Sequence, residues 1–143
     1  MFSCVKGSNY LDWGTLEDWQ TFRRKYKTIF VDLDGTIVSS DFRSFGMDWG
    51  ENKLLEGNCA FLRSLHATGT VQLIITTARP DSSRAATIKF LNDNEIPFDK
   101  IIFGLFHARR ILINDFSNSN PYPTATAINL PRDSDNLALY DFS

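Results

Sequence analysis

Two aspartates separated by one residue, Asp32 and Asp34, followed at once by Gly35 and Thr36, concentrate more reactive chemistry than any other stretch of the chain. The preceding run Thr28-Ile29-Phe30-Val31 is short, apolar and largely β-branched, which predicts an interior strand of a parallel sheet. Gly35 lets the chain turn sharply, and the carboxyl end of such a strand is the usual ligand crevice of open α/β sheets. Two carboxylates in that place can divide the work of phosphoryl transfer. Asp32 would attack phosphorus to form an aspartyl phosphate. Asp34 would protonate the leaving oxygen and then activate water, a role that its neighbours must tune. The plain alternative is a turn in which Asp and Gly serve geometry alone. The whole string after a buried strand favours chemistry.

Two later turns carry compatible groups. Thr77-Ala78-Arg79 follows the apolar run Val71 to Thr76, and a hydroxyl beside exposed backbone N–H groups at a strand-to-helix turn suits a phosphate oxygen. Thr76, one residue earlier, is the other candidate; the plain alternative is a helix-capping Thr77 and a solvated Arg79. Asn114-Asp115 follows Ile111-Leu112-Ile113 and supplies a further acid, or else an ordinary turn.

Asp32-Leu33-Asp34-Gly35-Thr36 resembles motif I of the haloacid dehalogenase (HAD) superfamily. The resemblance implies a Rossmann-like sheet and a magnesium-dependent phosphatase. Thr77 falls at the place of motif II and Asp115 at that of motif IV, which makes Asp32 and Asp34 the catalytic pair. The implied substrate-binding set is Thr36, Thr77, Ala78, Arg79 and Arg109. Mg²⁺ would be held by the Asp32 carboxylate, the Asp34 backbone carbonyl and the Asp115 carboxylate, completed by phosphate and water. Asn114, Asn118 and Ser119 stand where many relatives carry a second acid. The motif III lysine is missing, because Gly104-Leu105-Phe106 occupies its place and leucine supplies no charge. Lys100, Arg109 and Arg110 are the available substitutes, with Arg109 the favoured one and surface exposure the plain alternative. His107 shares that loop and is a candidate substrate contact, whereas His66 reads as structural. Phe42, Phe45 and Trp49 read as packing of their own segment or as a pocket wall.

These residues require an alternation of strands and helices to position them. A helix is predicted over Lys53 to His66, with Leu54, Leu55, Phe61, Leu62 and Leu65 on one face and Gly69 ending it. Val71 to Thr76 reads as the second strand. The next helix spans Asp81 to Asn92, with Pro80 near its start and Ala85, Ile88 and Leu91 recurring at three-residue steps. Ile101 to Phe103, Ile111 to Ile113 and Thr126 to Leu130 read as further strands. The fold class is therefore α/β, a Rossmann-like doubly wound parallel sheet without a cap domain. Residues 1–27 read as a helical extension, with Trp13 and Trp19 near a helix started by Thr15 and Asp18. Residues 28–143 read as the catalytic domain, with a flap over 37–52.

The 143 residues are 43% hydrophobic and 13% aromatic with a formal charge of -2, a composition that suits one globular domain. The absence of a basic field argues against nucleic acid. Apolar runs fall short of a membrane span, and the start Met1-Phe2-Ser3-Cys4-Val5-Lys6 has no apolar secretion stretch. Cys4 and Cys59 lack metal or redox spacing, so reduced thiols and a cytoplasmic setting are expected. Tyr10-Leu11-Asp12-Trp13-Gly14-Thr15-Leu16-Glu17-Asp18 is similar to the tail of sugar nucleotidyltransferases, which implies a fusion or partner of that kind.

The leading expectation is a phosphomonoesterase acting on a small phosphorylated metabolite such as a sugar phosphate. A phosphate-binding scaffold that has lost turnover is the first alternative. A polynucleotide end phosphatase, suggested by Thr77-Ala78-Arg79-Pro80, is the second, against which the acidic balance stands. A capless site must still exclude water, so a homo-oligomer is also expected.

Overall fold

A computed structural model describes residues 14–40, 52–118 and 124–142. The predicted aromatic cluster Phe42, Phe45 and Trp49, most of the flap, Cys4 and Trp13 lie outside these residues.

Strand β1 (Lys27–Asp32) pairs in parallel with β2 (Val71–Thr76), which pairs in parallel with β3 (Lys100–Ile102). The sheet order is β1-β2-β3. Its register places Asp32 opposite Thr76 and Thr76 opposite Ile102, so three strands end at one level. That alignment brings the three following turns to a common edge. The ladder runs on past the strands, because Leu33 N–H donates to the Thr76 carbonyl at 3.1 Å and Thr77 N–H to the Ile102 carbonyl at 2.9 Å.

β2 is buried almost throughout, as a central parallel strand with Leu73, Ile74 and Ile75 should be. β1 differs from its predicted interior position. It borders the described sheet, and Phe30 is 52% exposed. The doubly wound pattern needs a strand on the other side of β1, and none forms there among the described residues. Ile111, Leu112 and Ile113 are 69%, 59% and 90% exposed and belong to no strand, nor do residues 126–130. A short apolar run becomes a strand only when its backbone finds a ladder partner, and this one closes instead into a loop. There Asn114 Nδ2 donates to the Thr124 carbonyl and the Thr124 hydroxyl to the Asp115 carbonyl.

Helix α1 (Leu16–Lys25) begins at Thr15, whose hydroxyl accepts from Asp18 N–H at 3.1 Å, the capping pair that the sequence predicts. Helix α2 (Glu56–His66) starts three residues later than predicted. Residues 53–55 pair with the segment after Gly35 instead: Leu54 bridges Val38, Ser39 N–H donates to the Lys53 carbonyl and Leu55 N–H to the Ile37 carbonyl. A 3-10 turn at Asp81–Ser83 leads into helix α3 (Arg84–Asp93). Its buried residues are Thr87 and the predicted Leu91, whereas Ala85 is exposed and Ile88 half-buried, because Thr87 faces a buried arginine. No helix among the described residues is long and apolar enough to cross a membrane.

The core joins Val31 and Leu33 of the first strand and turn to Leu73, Ile75, Leu62, Leu91 and Leu137. Leu137 opens a 3-10 turn, Leu137–Leu139, that packs on α2. The segment before it is fastened by Asn58, a fully buried side chain whose Nδ2 donates to the carbonyls of Thr36 at 2.8 Å and Ser134 at 2.7 Å. Its Oδ1 accepts from Leu137 N–H at 2.9 Å. Asp135 caps α2 from outside the helix by accepting from the N–H groups of Gly57 and Asn58 at 2.9 and 2.7 Å. Gly57 is required there, since a Cβ would meet the Asp135 carbonyl at 2.8 Å. Asn58→Ala strands these buried carbonyls and the Leu137 N–H, so urea unfolding should show a stability loss of roughly 1–3 kcal/mol or more. An unchanged midpoint would show that the C-terminal segment is not fastened here.

Candidate functional site

The turn after β1 is narrow. Gly35 holds φ at +91°, and Ile37 and Val38 N–H both donate back to the Leu33 carbonyl, at 2.9 and 3.0 Å. Leu33 is thereby buried in the core, and the flanking Asp32 and Asp34 carboxylates are left half-buried at the edge of the sheet. Asp32, Asp34, Gly35, Thr36, Ala78, His107, Ala108, Arg110, Leu130 and Arg132 line a cavity of about 400 Å³. That volume suits a small metabolite.

Asp32 meets Arg110, whose Nη2 lies 3.0 Å from Oδ1. Burial raises the Asp32 carboxyl above its ordinary value, the Arg110 charge and hydrogen bond oppose the rise, and the Asp34 charge adds to it. The cation beside the candidate nucleophile is thus Arg110, not the favoured Arg109, which is exposed and does not line the cavity.

Asp34 meets Arg79. Arg79 Nε lies 3.1 and 3.0 Å from the two carboxylate oxygens and Nη2 lies 2.6 Å from Oδ1. Its Nη1 donates to the Thr87 hydroxyl at 3.2 Å, and only 2% of the side chain is exposed. Thr77, fully buried, donates its hydroxyl to Asp34 at 3.3 Å and accepts from Arg79 N–H at 3.1 Å. Thr77 and Arg79 therefore hold Asp34 from behind and do not face the cavity as the predicted substrate-binding set requires. A carboxylate in a buried guanidinium's reach claims that side chain before a ligand can. Ala78 and Thr36 do line the cavity. Thr76 turns its hydroxyl to the Val31 carbonyl at 3.3 Å. His66 pairs with Asp99 at 3.4 Å, away from the cavity.

Of the predicted metal set, Asp32 and Asp34 line the cavity. Asp115 is exposed in the loop closed by Thr124 and does not line the cavity. Among the described residues no group of three or more His, Cys, Asp or Glu side chains is arranged to hold a metal ion. Among the described residues each carboxylate that lines the cavity has a guanidinium as its partner.

No known family matches the chain in a scan of family sequence patterns. No curated protein matches it either. Among solved structures, a structural-genomics target from Vibrio cholerae is 20% identical with a TM-score of 0.44, and the match covers 62% of this chain and 79% of that one. A chain of the Pnkp1/Rnl/Hen1 complex is 20% identical with a TM-score of 0.49, covering 60% of this chain and 30% of that one. Likeness at this level says nothing of activity or ligand.

Ala108, Arg110, Leu130 and Arg132 are cavity residues that sequence reasoning did not single out as site residues. Arg110 was distinguishable only as one of three nearby cations. Arg132, in Pro131-Arg132-Asp133, had no motif to mark it.

The two members of the buried pair should respond unequally to removal. Asp34→Ala removes the carboxylate that pairs with the buried Arg79 guanidinium and should cost about 3–5 kcal/mol in denaturant unfolding. Arg79→Met leaves Asp34 partly open to water and should cost less. The reverse order would show that Arg79 is not held by Asp34.

Proposed function

We propose that the chain is a phosphomonoester hydrolase of HAD type that acts through a phosphorylated Asp32 on a small phosphorylated metabolite, such as a sugar phosphate. A capless, doubly wound core belongs to the same proposal. The observation that carries it is the Arg110 guanidinium 3.0 Å from the Asp32 carboxylate at the wall of a cavity of metabolite size. A carboxylate nucleophile facing an anionic ester needs a positive group to offset repulsion, and Leu105 cannot provide one. Arg110 supplies that charge from a different position in the same loop.

In the first step an Asp32 oxygen forms a bond to phosphorus while the ester P–O bond breaks, and Asp34 delivers a proton to the leaving oxygen. In the second step water attacks the phosphoryl group, its proton passes to Asp34, and the Asp32–phosphorus bond breaks to release phosphate. Arg79 and Thr77 fix the orientation of Asp34 for both transfers. No step is routed through a divalent ion.

A second reading, a phosphate-binding domain without turnover, is favoured by the place of Asp115 outside the cavity. Turnover separates the two. A panel of sugar phosphates assayed in magnesium-containing buffer should release phosphate with the wild type and not with Asp32→Asn. Release that survives Asp32→Asn would refute the mechanism, and binding without release by the wild type would favour the second reading.

The pH profile gives an independent check. Asp32 must be ionised to attack, and its carboxyl lies above the ordinary value of 3.8, so the acidic limb of kcat/KM should lie above that pH. Arg110 pulls the Asp32 value down. Arg110→Met should therefore move the limb to higher pH and lower kcat/KM by about 10²-fold. A limb that stays in place would separate Arg110 from the nucleophile.

A further inference from the structure

Among the described residues, each of the two carboxylates that line the cavity is paired with an arginine. Asp32 is matched by Arg110 and Asp34 by Arg79, which leaves Arg132. Arg132 lines the same cavity, and among the described residues no carboxylate forms an ion pair with it. Its sequence neighbour Asp133 is occupied elsewhere, accepting from Ser40 N–H at 2.6 Å and from the Ser40 hydroxyl at 2.7 Å. Those hydrogen bonds are the main reason that the Asp133 carboxyl is held below its ordinary value, with the charge of Arg132 a lesser cause.

The placement of Arg132 is built into the fold. Asp133 N–H donates to the Gly35 carbonyl at 2.9 Å, which lays the segment directly over the motif I turn. A Cβ on Gly35 would lie 3.1 Å from Arg132 Cγ, so the glycine makes room for the stem of this arginine as well as for the turn. Asn58 and the Asp135 cap on α2 secure the segment on its far side. A mobile surface arginine has no such mooring.

We infer that Arg132 is the substrate-binding residue that draws the anionic phosphoryl group into the cavity, while Arg110 serves the nucleophile. This rests on the hydrolase reading for its substrate class, but anion binding can be measured without turnover. Among the described residues that line the cavity, an incoming phosphate meets one arginine that forms no ion pair with a carboxylate, and it sits against the turn carrying Asp32 and Asp34. Its loss should weaken affinity and leave the chemical step alone.

Titration calorimetry of the full chain with inorganic phosphate, beside steady-state hydrolysis of the best ester, provides the test. Arg132→Ala should raise the phosphate Kd and the KM about tenfold or more with kcat within about twofold, and Arg132→Lys should recover part of the loss. The salt dependence of phosphate binding should flatten in Arg132→Ala. Lys89→Ala, which removes the same charge from an exposed face of α3, should leave both values unchanged. Phosphate affinity and KM unchanged in Arg132→Ala overturn the inference even if hydrolysis proceeds, and so does a wild type that binds no phosphate. Arg132-dependent phosphate binding without turnover upholds it while the hydrolase reading fails.

Discussion

The buried guanidinium of Arg79 is the constraint on which the crevice depends. Taking such a charge out of water is costly unless every donor finds a partner and the charge finds a counterion. Here the side chain reaches Asp34 of the first turn and Thr87 of α3, its N–H donates to the Thr77 hydroxyl, and its carbonyl accepts from Gly104 N–H at 2.9 Å. One residue thus ties together the turns that follow all three strands. Among the described residues no buried side-chain nitrogen or oxygen lacks a hydrogen-bond partner, so this polar centre is satisfied throughout.

A second fastening holds the other side of the crevice. Asp135 completes a helix whose own N-cap position, Leu55, has no side-chain bond to offer, and Asn58 closes the gap between that helix, the turn after β1 and the C-terminal segment. Both fastenings converge on residues 33–38. The apolar core beneath, with Leu33, Ile37 and Val38 buried, keeps the turn rigid, and rigidity there fixes where two carboxylates and two arginines point.

Much of this was legible before any coordinates. The three paired strands, the three helices and the turn at Gly35 follow from apolar periodicity, glycine placement and the Thr15 cap, which are local signals. What escaped were long-range partnerships. The sequence does not reveal that Leu54 pairs with Val38 and delays α2, that Thr87 rather than Ala85 turns inward to meet Arg79, or that Asp135 caps a helix far upstream. The runs Ile111 to Ile113 and Thr126 to Leu130 have strand-like composition, but strand formation depends on a partner that composition cannot specify. In the site, Asp32, Asp34, Thr36 and Ala78 were anticipated as lining residues. Arg79 and Thr77, anticipated as substrate-binding, both bond to Asp34 and do not line the cavity. Arg110 and Arg132 depend on loop geometry, which carries little pattern in a single chain.

In the proposed mechanism four charged groups have separate tasks: Asp32 attacks, Arg110 offsets its charge, Asp34 moves a proton and Arg79 holds it. The covalent role of Asp32 is the centre of the proposal. Rapid quenching of the wild type during turnover of a phosphate ester, followed by hydroxylamine trapping and peptide mapping by mass spectrometry, tests it most directly. The modification should map to Asp32 and vanish in Asp32→Asn. Turnover with no modification at Asp32, or with the label on another residue, would contradict it.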